Sequence, residues 1–173
     1  MAIYSLDGAT PDIDPSAYIH PDAVIIGDVR IGAESSVWAN AVLRGDFGGK
    51  IRIGERSSIQ DGTVIHCGPG FPTRIGNGCV VGHLTHLEGC TLEDDSLAGS
   101  KSVILHHAVI SSGATVGAGA VVPNKMVVPP LALAVGIPAQ IKEGKSNLVI
   151  IQLSAAEYVA NAKRYRENLQ RID

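Results

Sequence analysis

The sequence has few aromatic residues, no cluster of basic residues and no long apolar run. Aromatic side chains make up 4% of its 173 residues, so the bulk of the core must come from Val, Ile, Leu and Ala. The net charge is −3, and no basic block or stripe offers the electrostatic surface that nucleic-acid binding requires. The apolar stretches are shorter than the roughly 20 residues of a bilayer-spanning helix. We therefore expect neither a nucleic acid nor a membrane as a partner.

Cysteine is also scarce. The three residues Cys67, Cys79 and Cys90 form an odd number with no spacing typical of a disulfide framework, which favours a reducing compartment. The first residues, Met1 to Asp7, lack the charged and apolar regions of a secretory signal peptide. Together these observations predict a cytoplasmic protein.

An aliphatic residue recurs at every sixth position, and this is the strongest pattern in the chain. The residues concerned form four runs: Ile13, Ile19, Ile25, Ile31, Val37 and Leu43; Ile53, Ile59 and Ile65; Ile75, Val81 and Leu87; Leu92, Ala98, Ile104, Ile110, Val116 and Val122. Neither an α-helix, with a period of about 3.6, nor a single strand, with a period of about 2, produces this pattern. A parallel β-helix does, because each hexapeptide forms one side of a triangular coil of about 18 residues. The sequence therefore predicts an all-β fold of stacked hexapeptide coils, with the 20 glycines suited to its corners.

The six-residue spacing is interrupted at two places. Leu43 and Ile53 are ten residues apart, and so are Ile65 and Ile75. Each interval holds four extra residues, and the rhythm resumes after both. The extra residues should therefore bulge from corners of the coils.

We predict a single domain, 1–173, built of three parts. The β-helix covers 13–128, and an extended connector follows over 129–153. An amphipathic helix is predicted over 154–172, because Ser154-Ala155-Ala156-Glu157 is a capping-box sequence and apolar residues then recur three or four apart. The apolar stripe of this helix should pack on the outer wall of its own solenoid or of a neighbouring one.

The coil register places particular polar residues side by side. Ile65 and Leu87 are 22 residues apart, which is one coil of about 18 residues plus the four-residue bulge, so they should stack directly. The residues that follow them, His66 and Glu88, should then lie about 4.8 Å apart on one face.

The same register places Asp61 beside His83, near a different corner. His83 should therefore not easily meet His66 and Glu88 of its own chain. It could meet them on a neighbouring chain packed around a threefold axis, since cyclic symmetry repeats the same contact at every interface.

His66, His83 and Glu88 are candidate metal ligands, because two imidazoles and one carboxylate form a known zinc set. Catalytic zinc commonly has three protein ligands and an open position for water, and it lowers the pKa of that water toward neutrality. The negative charge of Glu88 should leave the water less acidic than three neutral imidazoles would. Any hydration chemistry should therefore be weaker.

Several motifs resemble those of the gamma-class carbonic anhydrases and their bacterial relatives, over nearly the whole chain. They are Arg44-Gly45-Asp46, Ile59-Gln60-Asp61-Gly62-Thr63-Val64-Ile65-His66, Val81-Gly82-His83, Glu88-Gly89-Cys90 and Gly136-Ile137-Pro138-Ala139. The resemblance implies a left-handed parallel β-helix with a C-terminal α-helix, assembled as a homotrimer. It also implies zinc or iron at the subunit interface and carbon dioxide or bicarbonate as the substrate.

The resemblance also implies roles for individual residues. His66 would be the first metal ligand and His83 the second, donated across the subunit interface. Gln60 would orient the metal-bound water.

Three further residues take supporting roles by the same resemblance. Arg44 and Asp46 would form an ion pair that supports the interface, and Asp61 would belong to the same network.

The chain departs from the family at the third ligand, where a glutamate, Glu88, replaces the usual histidine. His86 lies two places earlier and is a less favoured substitute ligand, since it falls at a turn. Ser58 occupies a position that is usually asparagine. The departures predict that the fold and the trimer are kept and that the activity is weak or altered.

Other residues have simpler interpretations. Cys67 and Cys90 flank the ligand positions but are expected to be small buried hydrophobes. His106 and His107 fall in a turn, where His106 should stack on Gly89. Either could approach the site, but we expect a surface corner there.

Trp38 comes one place after an inward valine, so it should face outward and line a subunit contact or a pocket.

Three functions are compatible with these patterns. The first is metal-dependent, reversible hydration of carbon dioxide to bicarbonate. The second is an inactive trimeric homologue that acts as a scaffold or binding module. The third is a hexapeptide-type acyltransferase or coenzyme A thioesterase, for which His86 or His106 would be the candidate base.

Overall fold

The computed structural model describes residues 1–173 and shows a left-handed parallel β-helix of about seven turns with one C-terminal helix. The strands are β1 (Ala2–Tyr4), β2 (Asp12–Ile13), β3 (Tyr18–Ile19), β4 (Val24–Gly27), β5 (Val29–Ile31), β6 (Ser36–Val37), β7 (Val42–Gly45), β8 (Ile51–Ile53), β9 (Ser58–Ile59), β10 (Val64–His66), β11 (Thr73–Ile75), β12 (Val80–Val81), β13 (His86–Glu88), β14 (Thr91–Leu92), β15 (Leu97–Ala98), β16 (Val103–Ile104), β17 (Val109–Ile110), β18 (Thr115–Val116), β19 (Val121–Val122), β20 (Val127–Val128), β21 (Leu133–Val135) and β22 (Gln140–Lys142). The helix α1 spans Leu148–Asn168.

The strands form the three faces of the prism. The first face has the order β1-β4-β7-β10-β13-β16-β19, the second β2-β5-β8-β11-β14-β17-β20, and the third β3-β6-β9-β12-β15-β18-β21-β22. All neighbouring strands are parallel except β21 and β22, which are antiparallel. Successive strands along the chain therefore occupy successive faces, as the hexapeptide pattern predicts.

The hexapeptide residues point inward and stack in register. On the first face Leu43 pairs with Ile65, Ile65 with Leu87, and Leu87 with Ile104. All four side chains are fully buried, and burial of each such side chain is worth roughly 1.5–3 kcal/mol. The prediction of one aliphatic residue per side of each coil is confirmed.

Glycine after the inward residue is needed where neighbouring coils approach closely at a corner. A Cβ atom at Gly32 would lie 2.6 Å from the carbonyl oxygen of Gly54, and one at Gly54 would lie 2.7 Å from that of Gly76. Backbone atoms cannot move aside as a flexible side chain can. The Ile-Gly pairs of the sequence therefore record a steric requirement at this corner.

The coils continue beyond the predicted end at residue 128. The six-residue spacing extends from Val128 to Ala134, and both side chains are fully buried. β21 pairs with β18 and is followed by the antiparallel β22. The prediction of an extended connector over 129–153 is therefore wrong, because this segment adds two strands and the first turn of the helix.

The helix also begins earlier than predicted. Its N-cap is Asn147, whose side-chain oxygen accepts a hydrogen bond from the backbone N–H of Ile150 at 3.2 Å. Ser154 lies inside the helix, and the last helical residue is Asn168 rather than residue 172. The apolar run after Asn147 belongs to the helix because Ile151, which is 1% exposed, packs against Val80 of the solenoid.

The apolar side of α1 packs on the third face of its own chain. Trp38 is 5% exposed and lies among Tyr18, Tyr158, Tyr165 and Ala162. The expectation that Trp38 lines a subunit contact or a pocket is wrong, because the helix of the same chain covers it. No helix in the structure combines the length and apolar content needed to cross a bilayer.

Candidate active site

Adjacent strands of the first face deliver the central residues of the site. The register places His66 of β10 between Arg44 of β7 and Glu88 of β13. Each follows an inward aliphatic residue and points outward, since side chains alternate along a strand. His66 Nδ1 lies 3.0 Å from Glu88 Oε1, so the predicted stacking of these two residues is observed.

Asp46 holds the opposite side of the His66 ring. Its Oδ1 lies 2.8 Å from His66 Nε2, and its other carboxylate oxygen accepts a hydrogen bond from Arg44. The Asp46 side chain is only 10% exposed. Burial opposes its charged form, but the hydrogen bonds from His66 and Arg44 outweigh burial and hold the pKa of Asp46 below its usual value. The ion pair implied by the family resemblance is present.

Both ring nitrogens of His66 face carboxylates, Asp46 at one side and Glu88 at the other. A neutral imidazole has one donor and one acceptor, whereas carboxylates only accept. A neutral His66 can therefore donate to only one of the two carboxylates.

Glu88 is surrounded by further imidazoles. His86 Nε2 lies 3.3 Å from Glu88 Oε2, and His106 Nε2 lies 3.6 Å from Glu88 Oε1. Hydrogen bonding from His66 is the main cause that lowers the pKa of Glu88, against burial, with His86 and His106 adding to it. The carboxylate is thereby kept ionised.

His106 lies at a turn, as expected, and its side chain is 36% exposed. Its Nε2 atom is buried and has no hydrogen-bond partner in the chain. The ring stacks on Phe71, with centroids 4.9 Å apart. Leu87 and Ile104 are 17 residues apart and pair in register, which places His106 on the coil next to that of Glu88.

His83 lies at the corner between the third and first faces, away from this cluster. Its Nδ1 is 2.9 Å from Asp61 Oδ2, and the two side chains are 48% and 47% exposed. No group of three or more His, Cys, Asp or Glu side chains within the chain is arranged to hold a metal ion. The chain thus joins His66 to Glu88 and leaves His83 at another corner.

Gln60 precedes Asp61 at the same corner as His83. It is 4% exposed, and its backbone N–H donates to the carbonyl of Val81 at 2.9 Å. Its side-chain amide makes no hydrogen bond within the chain and is available to a ligand or a neighbouring subunit.

The residues present fit a divalent metal ion by their donor chemistry. Metal-binding histidines typically donate one ring N–H to a carboxylate, which fixes the ring and raises the basicity of the other nitrogen. One ring nitrogen of His66 lies at hydrogen-bond distance from Asp46, and one of His83 from Asp61, which allows this arrangement at both residues. Glu88 supplies an ionised oxygen beside the remaining nitrogen of His66.

The cysteines are not part of this donor set. Cys67, Cys79 and Cys90 are all buried and unpaired, as expected for small hydrophobic residues. Burial raises the pKa of Cys67 to about 11 and that of Cys90 to about 12. Neither thiol is therefore a ready thiolate ligand near neutral pH.

Comparison with known proteins agrees with the geometry. Residues 11–45 match the bacterial transferase hexapeptide family (six repeats). The chain is 44% identical over 129 residues to the "Probable carbonic anhydrase" of Methanocaldococcus jannaschii, covering 75% of this chain and 80% of that protein. It is 36% identical over 158 residues to gamma carbonic anhydrase 2, mitochondrial, of Arabidopsis thaliana, covering 87% and 56%.

The chain belongs to the gamma-class carbonic anhydrase-like family. It spans little more than half the length of the Arabidopsis relative. The carnitine operon protein CaiE of Citrobacter koseri is 35% identical over 171 residues, covering 98% of this chain and 86% of that protein. A crystal structure of a hexapeptide transferase family protein from Anaplasma phagocytophilum superposes with a TM-score of 0.90 at 34% identity, covering 95% and 98%. Relatives of this gamma-class carbonic anhydrase-like chain thus carry more than one functional name.

Proposed function

We propose that this gamma-class carbonic anhydrase-like chain catalyses reversible hydration of carbon dioxide to bicarbonate at a metal centre shared by two subunits of a homotrimer. His66 and Glu88 of one subunit and His83 of the next would hold a zinc or iron ion. When bound, the ion supplies the Lewis acidity that makes water a nucleophile near neutral pH. Three unpaired, buried thiols support a reducing, cytoplasmic location.

One observation carries the proposal: His66 and His83 each have one ring nitrogen held by an aspartate, at 2.8 and 2.9 Å. The aspartate orients each ring. The second nitrogen of His83 has no partner in the chain, and that of His66 faces the proposed ligand Glu88. Two histidines with the same support, at two different corners of the prism, are what a site between subunits requires.

The remaining residues bind and orient. Asp46 would hold the Nε2 proton of His66, and the hydrogen bonds from His66 and Arg44 keep the pKa of Asp46 below its usual value. Gln60, with its amide free of other partners in the chain, would orient the reacting water by hydrogen bonding. Asp61 keeps the Nδ1 proton of His83 and so directs its Nε2 outward from the prism.

The negative charge of Glu88 determines the expected activity. A carboxylate ligand neutralises part of the charge of the metal, whereas a neutral imidazole does not. We therefore expect hydration slower than that of a relative with three histidines, and we expect Glu88→His to raise the rate.

The test is elemental analysis of the purified trimer together with a carbon dioxide hydration assay on the wild type and on Glu88→His. Zinc or iron near one ion per subunit, with a faster variant, supports the proposal. A metal-free, folded trimer that does not hydrate carbon dioxide contradicts it.

The similarity to hexapeptide transferases favours one competing function, acyl transfer from or to coenzyme A. His106, whose Nε2 has no hydrogen-bond partner, would be its base. A ligand that binds only the native state raises the melting temperature, so a thermal shift on adding coenzyme A would support this function. No shift at millimolar coenzyme A would leave metal-dependent hydration as the function to test.

A further inference from the structure

Glu88 is the centre of a cluster of three imidazoles that lie within one chain. His66 and His106 both face Oε1, at 3.0 and 3.6 Å, while His86 faces Oε2 at 3.3 Å. Both oxygens of the carboxylate thus have imidazole neighbours. Only His66 belongs to the ligand set described above.

The fold places His86 and His106 beside Glu88 by two different routes. His86 lies two residues before Glu88 on β13, so both side chains leave the same side of the strand. His106 comes from the next coil, and its ring packs against the ring of Phe71. Gly89 leaves the space for it, since a Cβ there would lie 3.1 Å from the His106 ring and 2.9 Å from Phe71.

We propose that His86 and His106 are positioning residues that hold the carboxylate of Glu88 in the orientation of a metal ligand. The inference rests on the proposed metal centre and explains how a glutamate serves at that position. A glutamate side chain has more rotatable bonds than a histidine, so fixing it costs more conformational entropy. Donors on both carboxylate oxygens restrict its rotation before the metal binds.

The buried Nε2 atom of His106 supports this role. A buried polar atom without a partner costs about 1–3 kcal/mol, and only Glu88 Oε1 offers it a carboxylate. At 3.6 Å the pair is just beyond hydrogen-bond distance, and an approach of about 0.5 Å completes the bond. The ring of the neighbouring His107 also packs against Phe71, with centroids 5.8 Å apart, but His107 makes no hydrogen bond or ion pair with Glu88.

The experiment measures zinc affinity by chelator competition and records the visible spectrum of the Co²⁺ form, in the full-length trimer. His106→Leu and His86→Leu should each weaken zinc binding by about 10–100-fold, as loss of an outer partner of a metal ligand typically does. The Co²⁺ spectrum should change in band position and intensity, because the orientation of Glu88 changes. His106→Gln retains an N–H donor and should stay within about threefold of the wild type.

His107→Asn is the matched control, because it alters the adjacent imidazole and asparagine tolerates the positive φ of 61° at this position. It should leave both readouts unchanged. If His106→Leu fails to fold, His86→Leu decides the question alone. Unchanged or tighter metal binding in every leucine variant that folds, with an unchanged spectrum, would overturn the positioning role and leave the metal centre intact. A wild-type trimer that binds no metal would overturn both.

Discussion

At the scale of single residues, the polar side chains of the site contact one another along the edge of the first face. Arg44 donates a hydrogen bond to Asp46, and the ring of His66 lies between the carboxylates of Asp46 and Glu88. Glu88 carries a carboxylate that three imidazoles of the same chain face. The surroundings of Glu88 thus supply polar neighbours that the sequence motif taken alone does not reveal.

The hydroxyl of Tyr18 lowers the free energy of unfolding. The hydroxyl is buried under α1 and has no hydrogen-bond partner, so Tyr18→Phe should stabilise the fold by about 1 kcal/mol. Burial, with a contribution from Tyr165, raises the pKa of Tyr18. The Tyr18 hydroxyl therefore ionises at a lower pH in the unfolded chain than in the folded one. As the pH rises above about 10, the wild type loses stability, whereas Tyr18→Phe does not lose this contribution.

Urea denaturation at pH 7 and at about pH 11 measures both effects. The stability advantage of Tyr18→Phe should widen at the higher pH. Tyr4→Phe, at an exposed position, is the control and should change neither value. A variant less stable than the wild type at pH 7 would show that the Tyr18 hydroxyl has a partner.

At the scale of elements, the helix and the third face form one unit. The indole of Trp38 donates to Ser36 and Ser58 at 3.0 and 3.2 Å, and its ring packs edge-on against Tyr158 and Tyr165 of α1. The helix is thus fixed by aromatic packing across the solenoid wall, far from the candidate ligands on the first face.

Ala162→Asp should detach this part of the helix, because it places a charge in a contact where Ala162 is 6% exposed. Since Trp38 is the only tryptophan, its fluorescence should shift to longer wavelength as it becomes exposed to water. The β signal in circular dichroism should persist. Ala160→Asp, on the exposed side of the same helix, should cause no shift, and a shift of equal size there would argue against the specific contact.

At the scale of the whole molecule, the proposed site is complete only between subunits. One chain provides His66 and Glu88 at one corner and His83 at another. Sedimentation should therefore show a trimer of the 18.0 kDa chain. A metal that binds tightly to a monomer would contradict the shared site.

Mixing two inactive variants tests the sharing directly. Trimers of His66→Ala alone, or of His83→Ala alone, should bind no metal tightly and should not hydrate carbon dioxide. In a trimer that contains both kinds of subunit, about one interface in three combines an intact His66 with an intact His83. Because equal co-expression also produces trimers of a single kind, it should restore metal and activity at about one site in four overall. A site within one chain would stay empty in every mixture.

How much was predictable from the sequence depends on whether an interaction repeats. The coil register follows from a six-residue period, so the contacts of His66 with Glu88 and of His83 with Asp61 could be located by counting. The start of α1 could not, because Leu148 to Leu153 is apolar in a way that suits a strand as well as a helix. The cap at Asn147 decides between them.

The sequence by itself determined the β-helix, its register and the residues that meet across neighbouring coils. The physical reason is that a solenoid repeats one local contact, so spacing along the chain becomes position in space. Only the tertiary structure decided which wall the helix covers, that Trp38 lies beneath it, and that His86 and His106 converge on Glu88. The helix has a different period from the coils, so counting does not place it on a wall. The register brings His86 and His106 near Glu88 but does not fix the directions of their side chains.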